Sequence, residues 1–84
     1  MKIDRGIRED LGEQEMPQPL RYGKDSAGNW YCCPPGFTTG YASLSRHEVV
    51  EHDDGTITVT PSIEVKNHLQ YWHGFLEQGI WREC

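Results

Sequence analysis

Cys32, Cys33, His68, His73 and Cys84 carry the thiols and imidazoles that zinc prefers as ligands. If the strand bearing Cys33 lies beside the last hairpin of the chain, Cys33, His73 and Cys84 would converge. No Cys-x-x-Cys pair is present, and the interval from His68 to His73 matches no common ligand spacing. Cys32 and Cys33 are adjacent, so in a strand they point to opposite faces and only one could serve. Buried thiols act far more often as small hydrophobes than as ligands. No metal and no cofactor is therefore expected. A cysteine nucleophile with His73 or His68 as its base would also need an orienting group and an oxyanion site. No motif supplies these together, so no enzymatic activity is expected. His47 and His52 read as ordinary strand residues. Asp53 and Asp54 belong to a turn, and no run of alternating oxygen ligands follows them. Gly36, Gly40, Gly74 and Gly79 are isolated and build no phosphate-cradling loop.

A small scaffold has to position these residues. The chain has 84 residues, which is room for one domain whose modest core leaves it marginal without a staple or a partner. Its aromatic rings, Tyr22 apart, fall in two stretches, Trp30 to Tyr41 and Tyr71 to Trp81. A few large rings fill volume efficiently, so the two stretches are expected to meet in a thin core. Three cysteines, two of them adjacent, argue against a closed disulfide framework and fit reduced thiols. No apolar run is long enough to span a bilayer, and Met1-Lys2-Ile3-Asp4-Arg5 lacks the apolar stretch of a signal peptide. A cytoplasmic location without membrane association is expected.

The formal net charge is −5. The stretch 28–84 carries most of the excess, because Arg46, Lys66 and Arg82 are its only lysines or arginines. Phosphate contacts need clustered basic side chains, so nucleic-acid binding is disfavoured. An acidic surface suits solubility or docking onto a basic patch of a partner protein.

The stretch 1–27 reads as a polar N-terminal arm, extended or partly flexible. Ile3, Ile7 and Leu11 recur at helical spacing, which allows a short helical turn, but Gly6 and Gly12 weaken it and Met16-Pro17-Gln18-Pro19 ends it. The stretch 28–84 is expected to be a small antiparallel β domain of two or more hairpins. Trp30 to Cys33 suits a buried strand that Pro34-Pro35-Gly36 ends, with Tyr41 to Ser45 as a return strand. Asp54-Gly55 is a preferred two-residue hairpin pair. That register sets Val50 opposite Val59 and His52 opposite Ile57, collecting Val50, Ile57 and Val59 on one face. A three-residue loop would instead set Val50 opposite Thr58 and mix the faces, so the two-residue loop is expected. Pro61 is expected to stop this strand, with a further short strand over Ser62 to Asn67. A second hairpin turns at Glu77-Gln78-Gly79. A two-residue loop there pairs Leu76 with Trp81 and His73 with Cys84; a three-residue loop pairs Leu76 with Ile80. Both registers stay open.

The run Thr56-Ile57-Thr58-Val59-Thr60-Pro61-Ser62-Ile63, followed by His73-Gly74-Phe75-Leu76-Glu77-Gln78-Gly79-Ile80-Trp81, resembles the ending of a family of uncharacterised phage and prophage proteins, a domain-of-unknown-function family. Their shared pattern is a strand into Pro-Ser-Ile and then a His-x-Phe hairpin with glycine near its turn. The resemblance spans roughly residues 54–81. It implies a phage or prophage origin and a small β-fold. The chain departs from the family at Cys33-Pro34-Pro35-Gly36 and Trp72-His73, the places that could hold a metal.

Size, acidity and ring density together predict a protein-interaction module without catalytic activity that binds a host or virion protein, in the host cytoplasm if phage-encoded. Its contact residues are expected to be Tyr71, Trp72 and Trp81. Two other readings stand beside it: a zinc-binding or thiol-dependent protein using Cys33, His73 and Cys84, and a structural virion or assembly component. The oligomeric state is left open.

Overall fold

Short alternating apolar and polar runs, punctuated by proline and glycine, favour strands over helices. The computed structural model describes residues 2–84, and its regular elements among those residues are all strands. In chain order they are β1 (Ile3–Arg5), β2 (Ile7–Arg8), β3 (Arg21–Lys24), β4 (Trp30–Cys32), β5 (Ala42–Ser43), β6 (Glu48–Glu51), β7 (Ile57–Lys66), β8 (Tyr71–Glu77) and β9 (Ile80–Glu83). A five-stranded sheet runs β1-β9-β8-β7-β6 and a four-stranded sheet runs β2-β3-β4-β5. The mostly-β class expected from the sequence is the class the chain adopts. Its pairings are antiparallel except that β2 lies parallel to β3.

The two sheets share one core. Tyr22, Cys32, Cys33, Phe37 and Leu44 enter it from the four-stranded side, and Ile57, Val59, Ile63, Val65, Trp72, Leu76 and Trp81 from the five-stranded side. Both aromatic stretches therefore contribute to it, as expected. The Trp72 and Trp81 rings meet edge to face at 5.3 Å and 87°, an orientation that sets the positive ring edge against the negative face. Gly74 makes room for them. A Cβ there would lie 2.6 Å from the Trp72 ring and 2.3 Å from the Arg82 carbonyl oxygen. The Trp81 indole N–H donates to the Leu20 carbonyl at 2.9 Å, so the buried polar edge of the ring ties the sheets together.

The stretch expected as an arm is extended, yet it belongs to both sheets. β1 pairs with β9, and the Gly6 N–H donates to Gly79 O at 2.7 Å. One residue later the chain changes sheet, and the Ile7 and Glu9 N–H groups donate to Leu20 O and Tyr22 O. The polar sequence conceals this because an edge strand buries little of its own side chains. Ile3 and Ile7 lie on the exposed side of that strand, so their spacing marks neither a helix nor a core face.

Two expectations about β7 are corrected. The first hairpin sets Val49 opposite Val59 and Val50 opposite Thr58, the register of a three-residue loop over Asp53-Asp54-Gly55. Only Gly55 takes a positive φ, at 88°, whereas a two-residue loop of the favoured kind needs two such residues. The Asp54 carboxylate instead accepts from both the N–H and the hydroxyl of Thr56, which holds a tighter local turn. Val50 consequently faces solvent and Val49 packs on the core. Pro61 does not stop the strand either. β7 runs through it with a register irregularity between Val59 and Ile63, and a bulge is where a missing donor is tolerated. Beyond it Ile63 and Val65 point into the core, the face anticipated for Ser62 to Asn67. The second hairpin takes the two-residue loop, with Leu76 opposite Trp81. Gln78 and Gly79 both have positive φ there, 48° and 77°.

Candidate binding groove

Of the residues expected to make contacts, Tyr71 alone lies at the surface. Trp72 and Trp81 are 4% and 0% exposed, so they are core residues and not docking anchors. β8 and β9 carry them on the inner face, whereas Tyr71 points outward and its hydroxyl donates to Glu64 at 3.0 Å.

The metal candidates are not brought together. The Cys33 thiol is sealed under the 34–40 loop, with the Phe37 and Gly40 carbonyls at 3.0 and 3.3 Å as its acceptors. Burial pushes its pKa up to about 11, so it stays a neutral thiol at neutral pH. His73 turns its Nε2 to the Ser62 hydroxyl at 3.0 Å. Cys84 pairs with His73 through backbone alone, its N–H donating to His73 O, and it is exposed. Among the described residues no group of three or more His, Cys, Asp or Glu is placed to hold a metal ion.

The contact between Ser62 and His73 went unread in the sequence, because it depends on the register of β7 against β8, which shifts between Val59 and Ile63. Nucleophile–base pairs stand at such distances. The Ser62 carbonyl also accepts from His47 Nε2 at 3.1 Å. Among the described residues no carboxylate bonds the His73 ring, and neither of the clefts described next is lined by Ser62 or His73. The two imidazoles thus meet Ser62 where the β7 ladder is interrupted, His73 at its hydroxyl and His47 at its carbonyl.

Concave surface lies elsewhere, under residues 9–20. After β2 the chain follows β3, with the Leu11 N–H donating to Lys24 O at 3.0 Å. It turns at Gly12 to Glu15, where the Glu15 carboxylate accepts from the Gly12 N–H. Met16 to Pro19 then return, and the Leu20 N–H donates to Cys33 O at 2.9 Å. This strap leaves a cleft of about 280 Å³ lined by Leu11, Met16, Tyr31 and Tyr41, with Glu13, Glu15 and Asp25 among its other lining residues. A second cleft of about 260 Å³ is lined by Met16, Pro17, Pro19, Phe37 and Tyr41. Met16 and Tyr41 line both, so the two form one groove. They are 52% and 39% exposed, so each presents a large side chain to the groove.

The walls are held in place. Tyr31 and Tyr41 meet edge to face at 6.0 Å and 67°. The Gln70 carboxamide oxygen accepts from the Thr38 and Thr39 N–H groups and the Thr39 hydroxyl, and its NH₂ donates to Gly36 O. Asn67 donates to the Thr39 carbonyl and hydroxyl. These bonds, with the Cys33 thiol beneath, fix the 36–40 loop that floors the second cleft. Backbone N–H groups of Asn29 and Ala27 hold the Asp25 carboxylate and lower its pKa, so it is charged at neutral pH. Neither cleft is lined by a basic side chain. The sequence held one sign of the groove, Met16-Pro17-Gln18-Pro19 beside an aromatic run. It could not reveal that the strap folds back over Tyr31 and Tyr41.

No family model, curated protein or solved structure matches this chain.

Proposed function

We propose that the chain is a small protein-interaction module without catalytic activity that docks a partner protein in the Met16–Tyr41 groove. The observation carrying this reading is the groove itself. Exposed apolar and aromatic side chains sit in one concavity whose walls are fixed by hydrogen bonds before any partner arrives. Pre-ordered walls reduce the entropy lost on association, and tyrosine and methionine supply contact area with few polar groups to desolvate. The phage-type ending of the sequence supports a host or virion protein as the partner, met in the host cytoplasm.

The test is site-specific photocross-linking in host lysate, with a benzophenone side chain at position 41 or, as a control, at position 66. Position 41 is expected to give a discrete adduct that position 66 does not, and that excess unlabelled protein suppresses. No adduct at 41, or the same adducts from both positions, would overturn the proposal.

One observation favours the reading as a structural virion or assembly component. β1 ends the five-stranded sheet, with exposed Ile3 on it and exposed Ile80 on β9 beside it. An open edge beside apolar side chains is a template for pairing with another chain. Light scattering separates the readings: a mass that grows with concentration supports assembly, and a constant monomer counts against it.

A further inference from the structure

The lining of the groove is chemically one-sided. Tyr31 and Tyr41 stand nearly perpendicular beside Met16 and Leu11, and the charges on the lining are the carboxylates of Glu13, Glu15 and Asp25. Four carboxylates elsewhere have cationic partners. Arg8 binds Asp10 and Glu51, Arg21 faces Glu9 at 3.3 Å, and Arg82 binds Glu77. Among the described residues Glu13, Glu15 and Asp25 have none within ion-pair distance. A phosphate or carboxylate ligand would be repelled here. A neutral apolar ligand would be accepted by the rings but would desolvate the carboxylates without compensation.

Resting on the interaction reading above, we propose that the cleft between Tyr31, Tyr41, Leu11 and Met16 receives an arginine or lysine side chain projected by an extended segment of the partner protein. The aliphatic stem packs on Leu11 and Met16 while the cationic head lies against a tyrosine face. Attraction to a ring quadrupole and to nearby carboxylates acts on the same atom, and partial desolvation in the cleft strengthens both. The second cleft, with Phe37, Pro17 and Pro19, takes the neighbouring part of the segment.

The probes are capped pentapeptides with glycine at every position except the centre, which is arginine, lysine or the uncharged norleucine. Each is titrated into the intact ¹⁵N-labelled protein and followed by amide chemical shifts. The arginine and lysine peptides are expected to move the resonances of Glu13, Met16 and Tyr41 saturably, and the norleucine peptide to bind about tenfold more weakly or worse. Added salt should weaken the cationic peptides and leave the norleucine peptide unchanged. The Glu13→Gln, Glu15→Gln double variant should lose most of the preference for charge, and Glu64→Gln, distant from the groove, should keep it. Equal binding of all three peptides at the groove would overturn the cationic assignment and leave the interaction reading standing. Shifts spread evenly over acidic surface, or none at the groove, would overturn the assignment as well; the cross-link at position 41 judges the interaction reading separately.

Discussion

The chemistry of single residues here is governed by what covers them. Cys32 and Cys33 are 0% and 1% exposed, and burial raises both thiols because the thiolate would be left without solvent. Cys84 is exposed. Iodoacetamide on the native protein, mapped by mass spectrometry, should therefore alkylate Cys84 and spare Cys32 and Cys33 until denaturant is added. Rapid native labelling of Cys33 would restore a thiol-dependent function to consideration. Residue types announced the thiols and imidazoles, but the adjacency of the two cysteines suggested opposite faces. Both are buried because β4 ends at Cys32 and Cys33 leaves the strand's alternation. Burial of Trp72 and Trp81 was not readable in the same way. Tyr71 and Trp72 are neighbours of similar composition, and only the parity of β8 decides which one faces water.

At the scale of elements, hairpin loops set parity, and parity decides which side chains are available. The sequence names Asp54-Gly55 as the first loop and Glu77-Gln78-Gly79 as the second turn. It misjudges how many residues leave the ladder at the first and leaves that open at the second, because the count depends on local capping such as the bonds from Thr56 to Asp54. A one-residue slip exchanges Val49 for Val50 at the core face, so small turn chemistry has a large effect. Gly55→Ala would place a Cβ in open space but at a φ of 88°, and should cost about 1 kcal/mol. Gly74→Ala meets backbone and the Trp72 ring, and should cost more, about 1–3 kcal/mol. Urea unfolding followed by tryptophan fluorescence checks this order. A Gly74→Ala variant as stable as the parent would refute the packing described for the tryptophan pair.

Contacts across the whole molecule were the least legible, since they join segments far apart in sequence. Arg8 is the clearest case. Its guanidinium bonds Asp10 at 2.7 Å, Glu51 at 3.0 Å and the Gly55 carbonyl at 2.8 Å, and it lies over the Trp30 ring with Lys24 nearby. One side chain thus joins the four-stranded sheet to the first hairpin of the other. Its hydrogen bonds lower the carboxyl pKa of both Asp10 and Glu51. Carboxylates with a depressed folded pKa stabilise the fold fully above their unfolded values, and that contribution is lost as pH falls through the folded ones. The ordinary values are 4.5 for Glu51 and 3.8 for Asp10. The gap in urea midpoint between the parent and Arg8→Gln should therefore be widest near neutrality and close as pH falls through and below that range. Asp25 and Asp54 titrate in both proteins and cancel in the difference. A gap independent of pH would show that Arg8 acts by packing on Trp30 alone.

The pairing of β1 with β9 also sets an order of events. The Glu83 N–H donates to Lys2 O, so β1 has no partner until β9 is in place. Contacts of such sequence separation carry a large loop-closure entropy and form slowly. Until β9 is in place, Ile3 and the unpaired backbone of β1 stay open to neighbouring chains. The interval before β1 and β9 pair, rather than the finished fold, is when this chain is most exposed to aggregation.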